Sequence, residues 1–344
     1  MIQDNRSKSQ ASASPVLSAE DLRKSYDRRE ALRGLSFCLE AGRILGFLGP
    51  NGAGKTTAIR ILTTILEPSA GHFRIDGVSS DHPDGIRRRI GVLPESLGFP
   101  RQISGLEYLA FFGQLYGRPA GEARETARAL LESVGLQKRG RSLIKTYSRG
   151  MRQRLGIARA LVNEPVVVFL DEPTLGLDPR GQQELLTLVR RIARERDAGV
   201  ILCSHLLAEV ESVCDDVVIL SAGQVVAQGK VAEVIGQAQR SAARRNVLRV
   251  QVPAPNLEES QRLLEVLPQV NAVTPSGETM GWLWVEVTTS SDGDSAEQMP
   301  QVKNSILEAL IQAGIPIQGL EVGGSRLQDV FLQLTEQLTE EEIE

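Results

Sequence analysis

The chain has no long apolar run, no marked surplus of either charge and few cysteines. Each shortage excludes something. No stretch reaches the roughly 18 consecutive apolar residues of a membrane-spanning helix, so no spanning segment is expected. With 39 basic and 43 acidic residues the net charge is −4, which gives no electrostatic argument for nucleic acid. The three cysteines, Cys38, Cys203 and Cys214, lack metal-ligand spacing. Each has apolar neighbours, which predicts three buried thiols and a reducing compartment. Met1 to Pro15 is rich in Ser, Ala and Gln and has no apolar signal-peptide core, so a disordered tail is expected over 1–15.

What remains is an ordinary globular composition, 41% apolar and 24% charged, in 344 residues, long enough for two domains. The organising stretch is Gly49-Pro50-Asn51-Gly52-Ala53-Gly54-Lys55-Thr56. It fits the phosphate-binding pattern of four free positions between the first Gly and Gly-Lys-Thr. An apolar run, Ile44 to Leu48, precedes it as a strand, and a helix begins after it at Thr57. That strand–loop–helix context is what the motif requires. Glycines let successive backbone N–H groups turn inward as a nest for phosphate oxygens. The helix adds the positive end of its dipole. Lys55 is expected at the β- and γ-phosphates, and the Thr56 hydroxyl on Mg²⁺.

Around this loop the pattern alternates between strands and helices. Val16 to Tyr26, Leu35 to Leu39, His72 to Ile75 and Ile90 to Leu93 read as strands. From about 99 to 161 helical spacing replaces strands, as in a helical subdomain inserted into an α/β core. Val166 to Leu170 is apolar at every position, as a strand covered on both faces must be. Further strands are expected at Val200 to Cys203 and Val217 to Leu220. These bound a first domain over 16–230. Beyond it, Val247 to Val252, Leu257 to Leu267, Val270 to Thr274, Trp282 to Val287, Val302 to Ala313 and Ile317 to Val322 give the order β-α-β-β-α-β. Ser290 to Pro300 reads as a polar loop and Leu327 to Leu338 as a closing helix. The expectation is a small α+β, ferredoxin-like domain over 246–338. Trp282 and Trp284 alternate with Leu283, so both face one side, either core or a contact surface.

Other positions suit the same chemistry. Asp171 and Glu172 close the all-apolar strand, at the strand end where ligands gather in open α/β sheets. Asp171 suits the second protein contact to Mg²⁺. Glu172 is placed to orient or deprotonate an attacking water. Ser148 precedes a helix, where it serves as an N-cap, an anion contact with Gly150, or both. His205 follows a buried strand, at a γ-phosphate or in a structural role.

Taken together, these motifs resemble the ATP-binding cassette (ABC) ATPases over about 16–229. The phosphate loop has the family form, Thr57 included. Ser148-Arg149-Gly150-Met151 resembles the signature motif, Val166 to Glu172 the Walker B strand, Leu175-Gly176-Leu177-Asp178 the D-loop and His205 the switch histidine. The resemblance implies an α/β P-loop fold and ATP hydrolysis with Mg²⁺. It implies two copies paired head to tail, each ATP held by one phosphate loop and by Ser148 and Gly150 of the other copy. Asp178 then links the sites, His205 senses the γ-phosphate and Tyr26 stacks on adenine. Two positions depart from the pattern. Glu95 stands where the family has a glutamine, adding negative charge near the metal. Arg149 replaces a signature glycine, either to neutralise phosphate charge or to face solvent.

The ending, Arg326 to Leu332, is similar to that of ATPases from bacterial type-2 exporters. That branch implies a separate membrane-spanning permease and a place on the cytoplasmic face of the inner membrane. It also implies docking along Phe99 to Tyr116, where Phe111, Phe112, Leu115 and Tyr116 are either the contact surface or internal core. The rival is a soluble ABC ATPase of translation or DNA repair. Such proteins usually carry two cassettes or a long coiled coil, whereas this chain has one phosphate loop and no sustained heptads. The cargo is not readable from the cassette.

Overall fold

Ile44–Leu48 is buried at all five positions, so its backbone must pair on both sides. In the computed structural model it does. The structure describes residues 15–27, 29–96, 98–204, 206–237, 247–275, 281–287, 295–322 and 327. The chain divides into two compact units, Met1–Lys230 and Val231–Glu344.

In the first unit, β1 (Leu17–Tyr26) and β2 (Arg29–Leu39) form a hairpin. With β4 (Ala70–Ile75) and β5 (Val78–Ser79) they make an antiparallel sheet ordered β2-β1-β4-β5. The central strand β3 (Ile44–Leu48) lies in a second sheet with β6 (Ile90–Leu93), β7 (Val167–Asp171), β8 (Gly199–Cys203), β9 (Asp216–Ser221) and β10 (Gln224–Lys230). Its order is β10-β9-β3-β8-β7-β6. All these strands run parallel except β10, which closes one edge antiparallel to β9. One apolar cluster joins the two sheets, including Leu22, Leu39, Phe47, Phe169, Ile201 and Leu220. Phe37 meets Phe47 edge-on, with centroids 5.2 Å apart. Truncating a buried Phe of this kind costs about 3–5 kcal/mol.

The start of β3 is pinned electrostatically. Arg43 gives Asp216 two guanidinium hydrogen bonds of 2.7 and 2.8 Å, and the Ile44 N–H donates to Asp215 at 2.9 Å. The bond to Asp216 is the main reason the Arg43 pKa is raised. After β3 comes α1 (Lys55–Leu62), and α2 (Pro83–Arg87) precedes β6. Between β6 and β7 the chain is helical: α3 (Gly105–Leu115), α4 (Ala120–Ser133) and α5 (Arg149–Ala160). Ser104 and Glu107 cap α3 reciprocally, and the Ser104 N–H and hydroxyl hold the Glu107 carboxyl below its ordinary range. α6 (Pro179–Arg196) and α7 (Leu207–Val213) complete the unit.

The second unit begins with a helix over 231–237, α8. Then come β11 (Val247–Gln251), α9 (Leu257–Glu265), β12 (Val270–Pro275), β13 (Trp282–Val287), α10 (Ser295–Gln312) and β14 (Gly319–Val322). The strands form an antiparallel sheet ordered β12-β13-β11-β14. Leu248, Val250, Leu283 and Val285 share an apolar cluster with Leu264 of α9 and Ile306 and Leu310 of α10. Trp282 and Trp284 lie on the other face of β13. The Arg249 guanidinium stands 4.4 Å and 4.8 Å from their ring centroids.

Several expectations need correcting. Cys38 is exposed, because alternation along β2 turns it away from Phe37 and Leu39, whereas Cys203 and Cys214 are buried. β2 begins at Arg29 rather than Leu35, since its first half carries too few apolar residues to announce a strand. The segment read as a polar loop from Ser290 to Pro300 is helical from Ser295, with Pro300 inside α10. The expected tail over 1–15, apart from Pro15, and the closing helix after Leu327 lie outside the described residues.

The division at Lys230 generates a test. A chain ending there should keep a cooperative thermal transition and bind ATP; loss of both, measured by circular dichroism and calorimetry, would contradict independent folding of the first unit.

Candidate nucleotide site

The phosphate loop joins β3 to α1, and its backbone requires glycine. Gly49 and Gly54 have φ of 154° and 105°. A Cβ on Gly49 would lie 2.3 Å from the Leu220 carbonyl oxygen, and one on Gly54 2.6 Å from that of Ala31. Gly54 is the N-cap of α1 and offers no side chain to its first N–H groups. The first turn also carries no acid. A helix N-terminus left this way suits an anion. Lys55 is buried, and its ammonium donates to the carbonyls of Gly49 and, at 3.1 Å, Pro50.

Over the loop lies a cavity of about 660 Å³. Tyr26, Arg29, Asn51 to Thr57, Glu95, Asp171, Glu172, Leu175 and Cys203 line it. The structure therefore gathers most of the expected phosphate, metal and catalytic residues in one place. Tyr26 is 44% exposed, with the Lys24 ammonium 5.5 Å from its ring centroid. Sequence reasoning passed over Arg29 and Cys203 as lining residues. Arg29 reaches the cavity because it pairs with Tyr26 across the hairpin, and Cys203 because β8 ends beside β7.

Three carboxylates meet at one end. Burial pushes the Asp171 carboxyl up from its ordinary value, and the charges of Glu95 and Glu172 push it further. The Cys203 thiol donates to Asp171 and is itself driven well above its usual range, chiefly by burial. Glu172 sits at φ 48°, an uncommon backbone state for a non-glycine residue, and its N–H donates to the Cys203 carbonyl at 2.9 Å. Among the described residues no group of three His, Cys, Asp or Glu forms a metal cage alone. A dication held by Thr56, one or two carboxylates, phosphate oxygens and water fits this donor set, because Mg²⁺ keeps much of its hydration.

Ser148, Gly150 and Asp178 are elsewhere. They line a separate cleft of about 660 Å³ with Arg149, Gly176 and Leu177. Ser148 is the N-cap of α5, accepting from the Met151 N–H at 3.2 Å, and Asp178 is the N-cap of α6. The Arg149 guanidinium rests on Gly176: a Cβ there would lie 2.4 Å from its Cζ. Within one chain these residues do not join the Lys55 cavity. His205 lies outside the described residues.

The ABC transporter family model matches residues 32–175. The daunorubicin/doxorubicin resistance ATP-binding protein DrrA of Streptomyces peucetius is 35% identical over 325 residues, 93% of this chain and 92% of the relative. This chain belongs to the ABC transporter ATP-binding proteins. Linearmycin resistance ATP-binding protein LnrL of Bacillus subtilis (strain 168) is 30% identical over 322 residues, 93% of this chain and 98% of the relative. Among solved structures, cbiO1 from Clostridium perfringens, part of the ABC transporter complex cbiONQ, shares 29% identity. It covers 68% of this chain and 96% of its own, with a TM-score of 0.61. An ATP-binding subunit of an ABC transporter at 32% identity covers 64% and 92%, with a TM-score of 0.57. The chain is thus an ABC ATPase. Its relatives favour the transporter over the translation or repair reading. Among the described residues, no helix is long and apolar enough to cross a membrane.

The acidic end of the cavity generates a prediction. Asp171, with its raised pKa, keeps its proton to higher pH in the folded chain than in the unfolded one. Stability therefore falls as pH rises from the unfolded pKa to the folded one, and the penalty is complete above it. Glu95→Gln should bring the Asp171 carboxyl back toward its ordinary value and raise stability at neutral pH. Carbon-detected NMR titration checks this; an unmoved Asp171 would leave burial and the Glu172 charge as its causes.

Proposed function

We propose that this ATPase powers export of a cargo through a separate membrane-spanning permease, at the cytoplasmic face of the inner membrane. The observation that carries the reading is the split arrangement of the site. Lys55, Thr56, Asp171 and Glu172 face one cavity, while Ser148, Gly150 and Asp178 face another cleft of the same chain. Two copies placed head to tail bring the second set over the first and complete two ATP sites.

In that dimer the residues from Gly49 to Thr57 cradle the phosphates and Tyr26 stacks on the adenine. Ser148 and Gly150 of the opposite copy close over the γ-phosphate, and Asp178 connects the two sites. Thr56, Asp171 and Glu95 are the residues that would hold Mg²⁺, which supplies charge neutralisation on the phosphates. Glu172 accepts a proton from the attacking water as its oxygen bonds to the γ-phosphorus. The bond to the β-phosphate oxygen breaks and ADP leaves with that electron pair. His205 is assigned to the γ-phosphate by its place in the motif order.

Export is supported by the names of the relatives, which are resistance ATP-binding proteins. The permease contact is placed along Phe99 to Tyr116. Phe111 is 55% exposed, Leu115 63% and Tyr116 47%, whereas Phe112 turns back against Tyr108 and Arg159. A partner helix covering the three exposed side chains fits this face. The second unit is read as a ferredoxin-like accessory domain, a reading its strand order β12-β13-β11-β14 supports.

Two variants test the site. Lys55→Ala should weaken ATP binding about 10- to 100-fold, the loss of charge-assisted hydrogen bonds to phosphate. Unchanged affinity by calorimetry contradicts the phosphate-loop reading. Glu172→Gln should keep ATP binding, lower turnover by about two to four orders of magnitude and favour an ATP-loaded dimer on gel filtration. Full turnover in that variant removes Glu172 from the role of base.

A further inference from the structure

The structure assigns Glu209 as the positioning residue that fastens the loop carrying Glu172 to the end of β8. Glu209 lies in α7, outside the nucleotide cavity, and is only 6% exposed. Its Oε2 accepts two hydroxyl hydrogen bonds, from Thr174 at 2.8 Å and from Ser204 at 2.8 Å. Both donors are buried, at 1% and 0% exposure. Thr174 stands two residues beyond Glu172, and Ser204 follows β8 directly, one residue before His205. One carboxylate oxygen therefore ties together the two segments that carry the groups assigned to hydrolysis.

The choice of a carboxylate is informative. Burying a charged group away from water is costly, and no cation pairs with Glu209 among the described residues. Its Oε1 is buried and has no hydrogen-bond partner among the described residues. A stabilising role alone would not call for a charge here. What the carboxylate offers is acceptor-only chemistry between two hydroxyl donors. Each of the two segments is also tied within itself. The Leu206 N–H donates to Ser204 Oγ at 3.1 Å, and the Leu177 N–H donates to the Thr174 carbonyl at 3.0 Å. The Glu172 N–H is already tied to the Cys203 carbonyl. Thus the chain from Glu172 through Thr174 to Glu209, and from Glu209 through Ser204 to Cys203, is a closed ring. The ring sets where the Glu172 carboxylate stands relative to the phosphates. The phosphate loop and Tyr26 lie outside it, so nucleotide binding does not depend on it.

The inference rests on Glu172 being the base, and the test uses the full chain. Glu209→Leu removes the shared acceptor in a side chain of similar size. ATP turnover should fall about 10- to 100-fold, the scale for misplacing a catalytic group by about an ångström, while ATP affinity by calorimetry stays within about two-fold. Glu209→Gln, whose amide oxygen accepts both hydroxyls, should recover most of the turnover. Thr174→Val should lose turnover in the same way, and adding it to Glu209→Leu should cost little more, because both break one link. If Glu209→Leu does not fold, Thr174→Val still reads the link. Unchanged turnover in Thr174→Val, or turnover and ATP affinity that fall together with the folded fraction, overturns the proposal. Glu172→Gln run alongside separates the two readings. Turnover surviving Glu172→Gln sinks the base assignment and this inference with it. Turnover abolished there but intact in the Glu209 and Thr174 variants sinks this inference alone.

Discussion

The N-terminus of α1 governs the first unit. Its leading N–H groups have no side-chain cap, no acid beside them and a left-handed glycine in front. Such groups need a partner, and the loop geometry leaves an anion as the natural one. The rest of the unit holds that helix end in place. β3 delivers the loop from the middle of a sheet, and Arg43 and Asp216 fix where β3 begins. β7 and β8 end beside the loop and set Asp171, Glu172 and Cys203 around the same cavity.

The carboxylates make the complementary demand. Burial, and then the charges of Glu95 and Glu172, raise the cost of ionising Asp171, as its upward shift records. A site with a free helix N-terminus at one end and crowded carboxylates at the other suits a polyanion carrying a cation. Neither end is relaxed alone, and each is answered by the part of a metal–nucleotide complex that faces it. The glutamate at position 95 sharpens this arrangement, since it adds charge beside Asp171 and Glu172.

Much of this was legible in the chain because the chemistry is local in sequence. The phosphate loop, the all-apolar strand before Asp171 and the cap at Ser148 are contiguous stretches whose spacing carries the physics. What escaped reading depends on pairing between distant segments. Arg29 joins the cavity only through its partner Tyr26 across a hairpin. Glu209 meets Thr174 from 35 residues away. Cys38 was misplaced because apolar neighbours matter less than the face on which alternation puts a residue. α2 spans five residues, too short to show a period, and the opening of α10 was hidden by Pro300 and polar residues.

The Arg249 sandwich has a spectroscopic consequence. The chain has two tryptophans, and both ring systems flank the same guanidinium in the second unit. The cassette has none. Intrinsic indole emission is therefore a native reporter for the second unit alone. Any change in it on adding ATP would register communication from one unit to the other, without a label on either.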